Sequence, residues 1–98
     1  MDYILTKPFI TNARLLGDNR PNLKSKIADC VSDFVEHVFQ SKYYRKKLKW
    51  YEAIHELEVG WDIRVFVEVL IRDNLIKFLN IGTHSSLNLT GSGKIRLS

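Results

Sequence analysis

Cysteine is almost missing from this chain: Cys30 is the only one among its 98 residues. No intrachain disulfide can form, and no cysteine-built metal cluster exists. The setting Ala28-Asp-Cys-Val-Ser-Asp-Phe34 reads as a helix interior, so the thiol is a small buried hydrophobe rather than a nucleophile. No window approaches the roughly 18 apolar residues of a membrane span, and no membrane partner is expected. The opening Met1-Asp2-Tyr3-Ile4-Leu5 lacks the basic stretch and long apolar segment of a signal peptide, so the expected compartment is the cytoplasm. The histidines His37, His55 and His84 are too widely spaced for a local metal motif, and neither metal nor cofactor is expected. Gly91-Ser-Gly-Lys94 lacks the first glycine of a phosphate loop. It carries Ile95 where Ser or Thr belongs, and no helix follows, so that motif is excluded.

What is present is positive charge. The formal net charge is +4 and the pI about 9.3, which favours an acidic partner. Lys42, Arg45, Lys46, Lys47 and Lys49 cluster in one short block, interleaved with or followed by Tyr43, Tyr44 and Trp50. Two readings of that block stand side by side. A basic, aromatic-laced segment suits nucleic acid; lysines on a solvated edge strand serve to prevent aggregation.

The length allows one domain, taken as residues 1–88, with 89–98 a basic tail or short edge strand. Tyr3–Leu5 reads as a strand. Thr6 is a candidate N-cap, Pro8 suits a first turn, and Phe9, Ala13 and Leu16 share a face until Gly17, so a helix covers about 7–16. A longer helix runs from Pro21 or Asn22 to about Gln40, its stripe built by Leu23, Ile27, Cys30, Val31, Phe34, Val35, Val38 and Phe39. His37 sits beside that stripe as a surface or boundary residue.

The pattern turns strand-like from Leu48. From Trp61 to Leu70, Ile63, Val65, Val67 and Val69 point one way, and Asp62, Arg64, Phe66 and Glu68 the other. Arg72-Asp73-Asn74 makes the turn of a hairpin with Leu75–Ile81. The expected architecture is α+β, in the order β-α-α-β-β-β. Two N-terminal helices pack on one face of a small, mainly antiparallel, twisted sheet. Arg64, Phe66 and Glu68 would lie on the open face.

Five segments in this order resemble the RelE/ParE superfamily of toxin–antitoxin toxins. Tyr3-Ile-Leu-Thr-Lys-Pro-Phe9 is similar to the family's opening strand and helix start. Lys46-Lys47-Leu48-Lys49 looks like its Lys-Pro-Leu-Lys segment, and Trp61-Asp-Ile-Arg64-Val-Phe like its Tyr-Arg-Val-hydrophobic strand. Tyr51-Glu-Ala-Ile-His55 and Ile81-Gly-Thr-His-Ser-Ser-Leu87 are similar to the Tyr-Arg-Asp-x-His and Ile-Gly-Thr-His-Ser-x-Leu segments of the YafQ-like branch. The resemblance implies a metal-independent mRNA endoribonuclease that works on the ribosome and is neutralised by a cognate antitoxin.

In that chemistry the RNA 2′-hydroxyl attacks the adjacent phosphate, giving a cyclic phosphate and a free 5′-hydroxyl. A base, an acid and cations are needed. The resemblance assigns the acid/base work to His84 and His55. Arg64, Lys47 and Lys49 stabilise the transition state. Arg45 and Lys46 hold RNA, and Tyr44, Trp61 or Phe66 stack on a base. His55 carries a condition: simple alternation puts it on the face of Leu57 and Val59. It joins the site only if a bulge between His55 and Leu57 re-aims it; otherwise it is structural.

The chain departs from the branch at three places. Gly60 stands where Asp precedes the Trp, and Asn88 where an aromatic follows the His-x-x-Leu. Glu58 stands where related toxins carry Arg. Two alternatives therefore remain: a ParE-like DNA gyrase inhibitor that cuts nothing, or a degenerate member that only binds.

Overall fold

Pro8 and Pro21 each sit in the first turn of a helix, where a missing N–H costs nothing. The computed structural model describes residues 1–60 and 62–83. Trp61, His84 and the 89–98 tail lie outside the described residues. The two helices are α1 (Lys7–Gly17) and α2 (Pro21–His37). Around them run strands β1 (Asp2–Leu5), β2 (Tyr44–Lys47), β3 (Ile54–Glu58), β4 (Ile63–Leu70) and β5 (Leu75–Thr83). They form one five-stranded sheet in the order β1-β5-β4-β3-β2. β1 pairs with β5 in parallel; every other neighbouring pair is antiparallel.

This is the expected α+β arrangement with one strand more than the sequence pattern suggested. The extra strand is β2, made from the basic block itself. It occupies an outer edge of the sheet, with Arg45, Lys46 and Lys47 exposed. The edge-strand geometry is thus realised, and charge on an exposed edge opposes pairing with another chain.

The main core lies between the helices and one sheet face. Phe9, Ile27, Cys30 and Phe34 from the helices meet Leu57, Val65, Val67, Ile76, Phe78 and Ile81 from the strands. Phe78 is the hub: its ring meets those of Phe9 and Phe34 at centroid distances of 5.4 and 6.3 Å. A fully buried side chain of this size contributes about 1.5–3 kcal/mol of transfer free energy. The inward row Ile63, Val65, Val67 and Val69 follows the alternation read from the sequence.

The opposite face is not open as expected. Leu48, Ile54 and Phe66 form a second buried cluster, with Tyr51 and Leu79 packed against it. The β2–β3 connection supplies Leu48 and Tyr51, so a loop does here what no third helix was available to do.

Two smaller expectations change. Thr6 holds the N-cap position of α1 without capping it. Its hydroxyl instead donates toward the carbonyl oxygens of Phe78 and Leu79, at 2.7 and 3.0 Å, tying the helix start to β5. Gly17 ends α1 without a left-handed conformation; Asn19 takes that role at φ 60°. Gly17 serves close approach, because a Cβ there would lie 3.3 Å from the Cβ of Lys24 on α2. No described helix is long and apolar enough to cross a membrane.

Candidate functional site

β2 carries its cations to both faces of the sheet, and a bulge decides which goes where. Tyr44 pairs with Leu57, Lys46 with Glu56 and Lys47 with His55, with a register shift between Tyr44 and Lys46. Directly opposed residues share a face. Tyr44 and Lys47 therefore lie on the helix side with Leu57 and His55, and Lys46 lies on the far side with Glu56. Arg45 is the extra residue of the bulge. Its guanidinium reaches Glu56 and Glu58, which places it on the far side beside Lys46, as bulges commonly re-aim a side chain.

β3 itself is regular. Its pairing with β4 runs without interruption from Ile54↔Glu68 through His55↔Val67 and Leu57↔Val65 to Glu58↔Arg64. The bulge between His55 and Leu57 that the His55 assignment required is absent, so His55 does not join Arg64 in an open-face site, and any chemistry at His55 belongs to the helix side with Lys47. His55 and Arg64 consequently stand on opposite faces of the sheet and do not converge on one phosphate. Lys47 goes with His55. Lys49 lies past the end of β2, its ammonium 5.4 Å from the centroid of the Trp50 ring.

On the far face, Arg64 is enclosed by its own partners. Its Nη2 lies 3.1 Å from Oε1 of Glu58, and its Nε 3.6 Å from Oε2 of Glu56. The latter distance is ion pairing and too long for a hydrogen bond, so the buried Nε–H has no hydrogen-bond acceptor. Arg45 meets the same two carboxylates, Nε to Glu56 at 3.0 Å and Nη1 to Glu58 at 2.9 Å. Two guanidiniums and two carboxylates thus form a neutral square. Glu56 is 3% exposed and Glu58 45% exposed. Glu58 is here a counter-charge to both arginines. Phe66, expected to stack on a base, is fully buried against Leu48 and Ile54 and presents no ring face to a ligand.

On the helix side, His55 sits among aromatic rings. Its imidazole centroid lies 4.8 Å from that of Phe39 and 5.6 Å from that of Tyr44. The Tyr44 hydroxyl lies 3.0 Å from Nδ1. Burial, then the nearby Lys47 ammonium, pushes the imidazole pKa below its ordinary value, so the ring is held neutral at neutral pH. Burial also raises the Tyr44 phenol, which keeps its proton. Two proton arrangements satisfy the Tyr44–His55 bond. With the phenol donating to Nδ1, the imidazole proton is on Nε2, and the neutral ring donates a hydrogen bond there without giving up the proton. With Nδ1–H donating to the phenol oxygen, Nε2 is bare and offers a base.

Tyr43, by contrast, is an anchor. It is buried, and its hydroxyl donates to Asp29 on α2. Within the basic block, Lys46 and Lys47 make no ion pair among the described residues.

Two participants escaped the sequence reading. Glu56 was visible only as one of two acidic residues spaced to share a strand face. Phe39 was placed in the apolar stripe of the second helix. That helix instead ends at His37, and Phe39 belongs to the short 3-10 turn Val38–Gln40. A cavity lies elsewhere, between α1 and α2, lined by Phe9, Ala13, Gly17, Lys24 and Ile27 among others; none of the proposed chemistry lies there. No three His, Cys, Asp or Glu side chains group as metal ligands among the described residues.

No protein-family model matches the sequence, and no curated protein matches it. Solved structures do. The chain is similar to a metal-bound toxin from Helicobacter pylori, at 18% identity over 89% of this chain and 98% of that one, with a TM-score of 0.74. It is similar to the DinJ–YafQ complex of E. coli, at 16% identity over 89% and 97%, with a TM-score of 0.72. YafQ from E. coli strain BL21(DE3) gives 16% identity over the same shares and a TM-score of 0.70. At these identities the likeness is one of fold: two helices against a five-stranded mixed sheet, in the architecture of the H. pylori toxin and of YafQ, over nearly the whole of each chain.

Proposed function

We propose that the protein is the toxin of a toxin–antitoxin pair and acts as a metal-independent endoribonuclease on ribosome-bound mRNA. The observation that carries this reading is the Tyr44–His55–Lys47 constellation on the basic edge of a toxin-like fold. It combines an imidazole held neutral, a phenol bonded to Nδ1 and an unpaired ammonium on the same face. A neutral imidazole with a bare Nε2 can take the proton of a 2′-hydroxyl, and the imidazolium so formed can return that proton to the leaving 5′-oxygen. Lys47 supplies positive charge where the phosphate gains negative charge. His84 lies outside the described residues, and on the resemblance it keeps its proposed share of the acid/base work. The partner expected to neutralise the protein is a cognate antitoxin, in keeping with the DinJ–YafQ complex among the structures of like fold.

The test is to induce the wild type, His55→Ala and His84→Ala in a bacterial host and map mRNA 5′ ends, with and without a block on translation initiation. In-frame cuts that need translation and disappear in either variant support the assignment of that histidine. Full cleavage by both variants removes the histidines from the mechanism.

One observation favours a second reading. Arg45 and Arg64 are neutralised by Glu56 and Glu58, as suits a member that binds without cutting. Absence of growth arrest in the wild type would support that non-catalytic member. Arrest with intact mRNA and damaged DNA would point to gyrase inhibition.

A further inference from the structure

α2 does not end by fraying. Its last residue is followed by Val38 at φ 49°, ψ −118°, a backbone conformation that a β-branched residue rarely adopts. Val38 itself packs against the main core, and the turn it makes carries Phe39 outward. Phe39 is 44% exposed, a large apolar ring left in solvent. The segment around it is pinned at several points. Ser41 N–H donates to the Val38 carbonyl at 3.0 Å and Tyr44 N–H to the Ser41 carbonyl at 3.1 Å. The Ser41 hydroxyl donates to Asp33 and the Tyr43 hydroxyl to Asp29. An unfavourable backbone angle held by this many bonds points to a placed side chain rather than a loose one.

The placement is against the site. Phe39 meets Tyr44 at 5.4 Å with the rings 73° apart, and His55 at 4.8 Å with the rings 52° apart. These are edge-on and tilted contacts, so neither neighbour caps the phenyl ring with a parallel ring of its own. Lys47 stands opposite His55 on the same face with no carboxylate paired to it. An open aromatic ring, a hydrogen-bonded imidazole and a free ammonium therefore occupy one patch. A flat, π-faced group bearing a negative charge on a short tether fits all three, and that is the description of a nucleotide.

We propose that Phe39, Tyr44, His55 and Lys47 form a seat for one nucleotide of single-stranded RNA, with the base stacked on Phe39 and its phosphate held by Lys47. The seat deepens the ribonuclease reading, on which the identity of the polymer as RNA rests. Phe39 then governs affinity and the choice of base, while His55 faces the sugar–phosphate.

The test uses the whole chain and a fluorescently labelled single-stranded RNA whose 2′-hydroxyls are methylated, so that it binds without being cut. The same oligonucleotide with abasic positions serves as the control. Phe39→Leu should bind the intact oligonucleotide about tenfold more weakly, as expected for loss of one base–aromatic stack, and Phe39→Trp should bind at least as tightly as the wild type. The abasic oligonucleotide should not distinguish wild type from Phe39→Leu. Lys47→Met should lower the salt slope of binding by about one ion.

Equal affinity of wild type and Phe39→Leu overturns the proposal, as does equal wild-type affinity for intact and abasic strands. The latter would mean that charge alone is recognised, as for an acidic peptide. The two readings separate cleanly. Binding with this pattern by a protein that leaves translated mRNA intact keeps the seat and removes the nuclease. Cleavage that Phe39→Leu leaves unchanged in KM and kcat does the reverse.

Discussion

Tyr44 and His55 meet across β2 and β3, the phenol oxygen 3.0 Å from Nδ1 of the imidazole. Alternation puts Tyr44 on the helix side and Arg45 on the far side; the bulge after Tyr44 then keeps Lys46 on the far side and brings Lys47 to the face of Tyr44 and His55. Removing the hydroxyl in Tyr44→Phe leaves the ring in place and Nδ1 without its partner. The expected cost is about 0.5–1.5 kcal/mol in urea denaturation. Nitrogen NMR of the imidazole should show one dominant tautomer in the wild type and a mixture in the variant. An unchanged tautomer balance would mean that the phenol does not set it.

His55 should make the protein sensitive to mild acid. Its pKa is depressed in the folded state by burial and by Lys47, while an unfolded histidine titrates near 6.5. As pH falls through about 6.5, the unfolded chain takes up a proton that the folded chain does not. Stability therefore falls until the lower folded pKa is passed, and it is fully present above the unfolded value. The difference between wild type and His55→Gln in urea midpoints from pH 8 to pH 5 isolates this effect. Parallel curves would show that the imidazole is not held neutral.

Glu56 and Glu58 share two arginines but should differ sharply when removed. Glu58 is half-exposed, and its pair with Arg45 lies in solvent, where such pairs contribute about 0–1 kcal/mol. Glu56→Gln removes the buried carboxylate shared by both guanidiniums and leaves Arg64 only the half-exposed Glu58, which costs on the order of 3 kcal/mol. Chemical denaturation of the two variants compares them directly. Glu58→Ala also frees positive charge on the far face, so it should tighten binding to single-stranded RNA and steepen its salt dependence. If Glu58→Ala leaves RNA affinity unchanged, the far-face arginines are structural.

Phe66 is a packing residue and should behave as one. Phe66→Ala empties the centre of the Leu48–Ile54 cluster and should cost about 3–5 kcal/mol. Phe66→Leu, which keeps most of the volume, should retain wild-type affinity for RNA. Weakened RNA binding by a stably folded Phe66→Leu would restore the base-stacking role that its burial denies.

Cys30 offers a readout of the core. Burial pushes its thiol up to about 12 from an ordinary value of 9.0, about a thousandfold loss of thiolate at a given pH. A thiol reagent at pH 8 should therefore react only as fast as the protein opens, and addition of urea should release the reaction. Rapid labelling of the folded protein would place Cys30 outside the α2–sheet interface.

The helices, the long hairpin and the inward row Ile63, Val65, Val67 and Val69 were legible from the chain because their causes are local. Proline at a first turn, a 3.6-residue apolar stripe and a two-residue alternation act within a few neighbouring residues. The alternation of β3 also correctly placed His55 with Leu57. The sequence alone thus determined the α+β layering and the concentration of cations in one segment; the face of His55 hung on a bulge that only the β3–β4 register rules out.

Tertiary structure decided the rest. Nothing local says that Lys42–Lys49 pairs with β3, or that its bulge divides Arg45 and Lys46 from Lys47. Nor does it say that Leu48 folds over Phe66, or that Glu56 and Glu58 find Arg64 one strand away. The turn at Val38 is a further case, since a helical stripe runs through Phe39 in the sequence and only packing against the core ends the helix before it. The physical reason is common to all of these. Register, pairing partners and the closing of the second face are set by contacts between residues distant in the chain, and periodicity carries no record of distance.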